Sequence, residues 1–297
     1  MKSKRNSVRF LVSNDEEEYG SKYEDEYLKN GWGLQIIDDS IWLSANKSNK
    51  LIQYQLNGKK LNSVDVAVPT ALIENDDKKG LGAPLLYFVT EEGKLYELNF
   101  SLQDPVRLLV DNSGDNAMYT GLTKYKNLLY ATDFHNKKID VFDILQDFAM
   151  INMSFIDLYE PNEEYTPNNI VKVEDLLYVA YAEKDPNSNH SILGKGKGYI
   201  NIFTAAGTFV KRFVSNGKLN SPYGLTLKKD TILVGNYGDG KINEYSLKGK
   251  HIGTLRNHKG KKIKLEGLST LLNYNHEIYF DSGPNSGNDG ILGKIFC

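Results

Sequence analysis

The sequence predicts an all-β fold, a six-bladed β-propeller whose ring is closed by an N-terminal strand joining the last blade. Three observations predict it. A step from a small or polar residue to an aliphatic one returns six times, at Gly33-Leu34, Ala71-Leu72, Gly121-Leu122, Asn169-Ile170, Gly224-Leu225 and Gly267-Leu268. The intervals are 38, 50, 48, 55 and 43 residues, the length of a four-stranded blade, roughly 40 to 50 residues. The sixth unit runs out after its third strand, while a strand-like segment, Val8-Arg-Phe-Leu-Val12, precedes the first unit. Joining that segment to the last unit removes an open sheet edge.

In chain order, residues 1–29 supply the closing strand and an acidic loop, and blades begin near 31, 69, 119, 167, 222 and 265, in one domain spanning 1–297. The second strands are the plainest: Ile41-Trp-Leu-Ser-Ala-Asn46, Leu86-Tyr-Phe-Val-Thr90, Leu129-Tyr-Ala-Thr-Asp133, Leu177-Tyr-Val-Ala-Tyr181, Ile232-Leu-Val-Gly-Asn236 and Ile278-Tyr-Phe-Asp281. Each is short, aromatic and β-branched, and bounded by turn formers. Third strands follow, such as Lys138-Ile-Asp-Val-Phe142 and Tyr199-Ile-Asn-Ile-Phe203, whose alternation predicts a face packed on the neighbouring blade. Gly93, Gly198, Gly240, Gly290 and Asn136 stand in the turns before them, where a residue tolerant of positive φ suits a hairpin. Fourth strands are less regular. The nearest approach to an amphipathic helix, Ile144 to Ile156, reads better as a loop plus a strand.

Composition narrows the partners. With 36 Lys and Arg against 38 Asp and Glu, the net charge is -2, so neither nucleic acid nor an anionic membrane is expected as the main partner. The apolar run near the N-terminus is too short for a signal peptide, and none approaches the roughly 20 residues of a membrane-spanning helix. A cytoplasmic monomer is expected. The single Cys297 precludes an intrachain disulfide. Lys-, Asn-, Tyr- and Ile-rich usage fits an AT-rich genome, including that of a large virus, and leaves packaging in a virion open.

Several strings carry a family resemblance: Leu129-Tyr-Ala-Thr-Asp-Phe-His-Asn136 with Ile139-Asp-Val-Phe-Asp143, and Leu219-Asn-Ser-Pro-Tyr-Gly-Leu225 with Leu233-Val-Gly-Asn-Tyr-Gly-Asp-Gly-Lys-Ile-Asn243. Gly31-Trp-Gly-Leu34 and Asp289-Gly-Ile-Leu-Gly293 add to them. The chain resembles an uncharacterised, largely bacterial family of six-bladed propellers and, more distantly, NHL-repeat and gluconolactonase-type propellers. The resemblance spans nearly the whole chain and implies the fold, but no activity. Many members look secreted whereas this chain shows no leader, so an extracellular location does not carry over. Pro69-Thr-Ala-Leu72 stands where the family tends to have Gly.

In a propeller the starts of inner strands and the ends of second strands meet on one face, around the central channel. The starts read as Trp32, Thr70, Thr120, Asn168, Tyr223 and Glu266, and the ends as Asn46, Glu91, Asp133, Tyr181, Asn236 and Asp281. Trp32, Asn46, Asp133, Tyr223 and Asp281 are candidate ligand-binding residues at the channel mouth. Glu266, Asn168 and Asn236 are candidate oxygen ligands for a divalent cation, Ca²⁺, Mg²⁺ or Mn²⁺, an ion that the lactonase-type resemblance also implies. The competing account is that such residues merely cap turns. His135 beside Asp133 suggests an acid and base, but a hairpin turn explains the pair as well. The Gly194 to Gly198 and Gly287 to Gly293 strings lack the phosphate-loop pattern and read as loops. The acidic Asp15 to Glu18 and Glu24 to Glu26 and the basic Lys259 to Lys264 are read as solvated loops, with an interaction patch as the alternative. The expected function is a non-enzymatic scaffold or binding module presenting one face to a protein or small ligand. The alternative is a metal-dependent hydrolase of the lactonase type.

Overall fold

A strand that is apolar on both faces must be covered on both, and the second strand of every repeat is of this kind. Ser40–Ala45 and Leu86–Thr90 are buried along their whole length. In the computed structural model, which describes residues 6–77, 82–159 and 164–296, each repeat folds into a small sheet with this strand inside it. The sheets stand in a ring as a six-bladed β-propeller. Inner strands, in blade order, are Gly31–Ile37, Pro69–Glu74, Tyr119–Tyr125, Tyr165–Val173, Pro222–Lys228 and Leu268–Tyr274. Outer strands such as Lys60–Asp65 are largely exposed.

The N-terminal strand closes the ring as expected. Ser7–Ser13 pairs antiparallel with Ile291–Phe296, and Tyr23–Glu24 adds a short parallel strand beyond it, so the last blade has five strands. Asp15 caps the one-turn helix Glu16–Tyr19 between them. Ile144 to Ile156 forms a 3₁₀ turn and a three-residue strand, Ala149–Ile151. Cys297 lies outside the described residues. Among the described residues no helix is long and apolar enough to cross a membrane.

The core is divided among the six blade interfaces. Between the last blade and the first, Leu11 and Val12 of the closing strand pack with Leu34, Leu43, Ile52, Tyr279 and Leu292. Similar clusters join each later pair of blades, for example Tyr87, Val89 and Ala71 with Tyr119, Leu122 and Phe142. Each blade therefore buries its faces only by having neighbours, the energetic reason for ring closure.

The register corrects one expectation. Leu34 pairs with Leu43 and Leu225 with Val234; in the sixth blade the corresponding pair is Leu271 with Phe280. The repeated step there is Thr270-Leu271, three residues after Gly267-Leu268. Gly267 is a turn glycine, at φ 64° with Gly283 O only 2.2 Å from where a Cβ would stand. The counterpart of Tyr223 is thus Ser269, and Glu266 precedes the inner strand.

Candidate functional site

Each inner strand opens with a register shift at the same place, between Gly31 and Gly33, Pro69 and Leu72, Tyr119 and Gly121, Pro167 and Asn169, Pro222 and Leu225, and Leu268 and Leu271. Such a bulge leaves extra residues unpaired and re-aims them. Their backbone is tied to the adjacent blade. Thr70 Oγ1 donates to Tyr119 O at 2.7 Å, Thr120 Oγ1 to Asn168 O at 2.8 Å, Asn168 Nδ2 to Pro222 O at 3.1 Å and Thr270 Oγ1 to Trp32 O at 3.3 Å. The small residue of the repeated step has its cause here: a Cβ on Gly33 would lie 2.3 Å from Thr70 O, and one on Gly224 2.4 Å from Ser269 O.

The inner strands themselves border the central channel. Leu34, Leu72, Leu122, Ile170, Leu225 and Leu271 line a cavity of about 430 Å³ along it. Trp32 and Tyr223 border this cavity and a second one of about 260 Å³ nearer the mouth. They form the partition between the two, and the Tyr223 hydroxyl spans from the fifth blade to donate to Thr120 O in the third. Burial holds the Tyr223 phenol far above its ordinary pKa, so it is a donor at neutral pH.

The mouth cavity has aromatic walls, Trp32, Phe134, Tyr223 and Tyr237. Amides of Asn30, Asn168 and Asn189 and hydroxyls of Thr120, Ser191, Ser221 and Ser269 stand among them, and among the described residues no carboxylate, lysine or arginine lines it. One side is the connection between the second and third strands of blade four, which supplies Asn189, His190, Ser191 and Leu193. Staples hold it in place. Asn189 Oδ1 meets His135 Nδ1 at 2.9 Å, Ser221 Oγ donates to Ser191 Oγ at 2.9 Å, and Gly194 N donates to Asn220 Oδ1 at 2.7 Å. Sequence reasoning missed this wall. Its one signal was the 55-residue interval between Ile170 and Leu225, the longest of the five.

Of the eight candidate residues, the structure brings Trp32, Asn168 and Tyr223 to the cavity. Asn46 links blades instead, donating to Glu91 Oε2 at 3.1 Å and Pro69 O at 3.3 Å while accepting from Asn30. Asp133 accepts from Met118 N and Asn136 N, both at 3.1 Å, capping the turn that carries His135. Glu266 Oε1 accepts from Asn285 N at 3.0 Å, outside the cavity lining. Asn236 turns its Nδ2 to Lys218 O and Asp239, and its Oδ1 is buried without a hydrogen-bond partner among the described residues. Of Glu266, Asn236 and Asn168, only Asn168 lines the mouth cavity. Among the described residues no three His, Cys, Asp or Glu side chains are grouped to hold a metal.

Asp281 is fully buried beside Gly31. Its Oδ1 accepts from Thr270 N at 2.6 Å, and its Oδ2 has no partner among the described residues. Burial pushes this carboxyl up to about 7 against the pull of its hydrogen bonds. The equivalent positions in blades one to five are Ser44, Val89, Thr132, Ala180 and Gly235.

No protein-family model matches the chain. It is 32% identical over an alignment of 320 positions to "Uncharacterized protein R648" of Acanthamoeba polyphaga mimivirus, covering 97% of this chain and 79% of that protein. "Uncharacterized protein L690" of the same virus is 30% identical, with 97% and 85% covered. These relatives are viral, where the sequence resemblance pointed to a largely bacterial family. Among solved structures, the virginiamycin B lyase of Staphylococcus aureus superposes with a TM-score of 0.61 at 13% identity, covering 99% of this chain and 100% of the lyase. A protein of unknown function from Bacteroides thetaiotaomicron gives 0.69 at 10% identity, covering 98% and 76%. At these identities the likeness shows the propeller fold alone.

Proposed function

We propose, on the premise that this chain belongs to the family of the two mimivirus proteins, that it is a non-enzymatic binding module that takes a small uncharged ligand at the channel mouth. The observation that carries this is the lining of the 260 Å³ cavity: aromatic faces interspersed with neutral amides and hydroxyls and, among the described residues, no carboxylate, lysine or arginine. Aromatic faces cover apolar surface, and the amides and hydroxyls both donate and accept, a combination suited to a compound about the size of one sugar ring with several hydroxyl or amide groups. A charged ligand would lose its hydration there without a counter-charge from the lining. The viral kinship supports a setting in a large virus, cytoplasmic or packaged, which mass spectrometry of purified particles tests.

Tryptophan emission tests the binding reading directly. The chain has two tryptophans; Trp42 is buried within the first blade, whereas Trp32 borders the cavity, so a ligand there changes Trp32 emission. A panel of neutral monosaccharides and nucleosides is titrated against the protein and against Trp32→Phe. The expected result is a saturable change for one class, absent in the variant. Emission unaffected by every compound at millimolar concentration would sink the reading.

A further inference from the structure

Charge is unevenly distributed along this nearly neutral chain. Residues 211–264, from the outer strand of blade four through blade five, hold 13 Lys and Arg and three Asp and Glu. Part of this excess converges on a groove of about 840 Å³, lined by Lys218, Lys228, Lys229, Arg256 and Lys262. Among the described residues none of these five makes a salt bridge. Two carboxylates, Asp230 and Glu244, share the lining, and Glu244 is engaged by the Thr231 hydroxyl at 2.8 Å. The positive field is felt by His251, whose imidazole is held below its ordinary pKa by burial and then by Lys218.

The groove crosses blade five from Thr231 and Glu244, on its second and third strands, and reaches a sheet edge. His251–Thr254 is the outermost strand of the fifth blade and lines the groove, and its Ile252 is 56% exposed. An edge strand presents unpaired N–H and C=O groups to any extended chain laid beside it. Among the described residues no aromatic ring other than the histidines lines the groove, so nucleic-acid bases find little stacking platform. Four of the five cations are lysines, point charges suited to carboxylates spaced along a strand rather than to paired phosphate recognition.

We propose that this groove is a docking site for an acidic, extended segment of a partner protein, which adds as a further strand beside His251–Thr254 while its carboxylates pair with the surrounding lysines. Alternate side chains of a strand project to one side at intervals of about 7 Å, so a segment with an acidic residue at every second position presents all its charges to one side. The docking site is independent of the channel-mouth cavity, with which it shares no lining residue.

The probe is a fluorescein-labelled peptide of alternating Glu and Val, followed by anisotropy with the intact protein. Saturable binding is expected, weakened roughly tenfold or more by Lys228→Glu with Lys229→Glu. It is also expected to be lost when alternate peptide bonds of the probe are N-methylated on the pairing edge, and to survive Lys59→Glu, a reversal at an exposed turn of the first blade. Lys218→Glu with Lys262→Glu is the second charge-reversal pair, should the first fail to fold. Absence of binding, equal weakening by Lys59→Glu, indifference to methylation on either edge, or tighter binding of labelled oligothymidylate would each overturn the proposal.

Discussion

Replacing Asp281 by Asn should raise the protein's stability relative to wild type as pH rises from about 5 to about 8. The carboxyl is buried, with its folded pKa raised from 3.8 to about 7. A raised carboxylate pKa means that the folded state holds the proton more tightly than the unfolded chain. The associated stability is therefore fully present below the unfolded pKa and lost as pH rises through the folded value. A shift of this size corresponds to roughly 4 kcal/mol, of which roughly 1.5 is lost by about pH 5 and roughly 2.5 more by about pH 8. Asparagine keeps an acceptor for Thr270 N and cannot ionise. Its amide N–H₂ stands where Oδ2 has no partner, at a cost of about 1 to 3 kcal/mol that does not vary with pH. Urea unfolding of both proteins at about pH 5 and about pH 8 isolates the effect, because every other titrating group cancels in the comparison. The variant should gain roughly 2.5 kcal/mol relative to wild type between the two conditions. A stability difference that is the same at both pH values would refute the reasoning and place the folded pKa of Asp281 in the ordinary range.

Two further perturbations address the ring. Gly33→Ala inserts a Cβ 2.3 Å from Thr70 O and must push the first two blades apart, whereas Gly253→Ala meets nothing within 4 Å; the first should cost about 3 kcal/mol and the second less than about 0.5, read from urea midpoints. Leu11→Ala empties a side chain that is 2% exposed in the cluster joining the closing strand to both end blades, and should cost about 2 to 5 kcal/mol in the same assay.

The architecture was legible because each blade repeats the same local solution: a doubly buried strand between an inner bulged strand and a third strand, joined by turns. The site was less so. Glu266 stood out only because Gly267-Leu268 mimics the repeated step, a coincidence of a turn glycine followed by a core leucine. Once strand pairing sets the register, the departure is Asp281, the sole carboxylate at a position otherwise held by small or apolar side chains. Nor could residue type separate Asn168, which reaches the cavity, from Asn46, which does not, since both are amides whose directions depend on backbone register. The mouth wall around Ser191 was hidden for another reason: an insertion announces its length but not what it folds against.

The pairing of Ser7–Ser13 with Ile291–Phe296 also sets a timetable. At roughly 5 to 20 residues per second, synthesis leaves the N-terminal strand waiting about 15 to 60 s for its partner. Through that interval Leu34 and Leu43 lack Tyr279 and Leu292, which cover them in the finished ring. Blades two to five can stack as they emerge, but the first keeps an apolar flank open until the sixth is made. A newborn chain is thus most exposed to chaperones, and to pairing with its own copies, in the moments before its two ends meet.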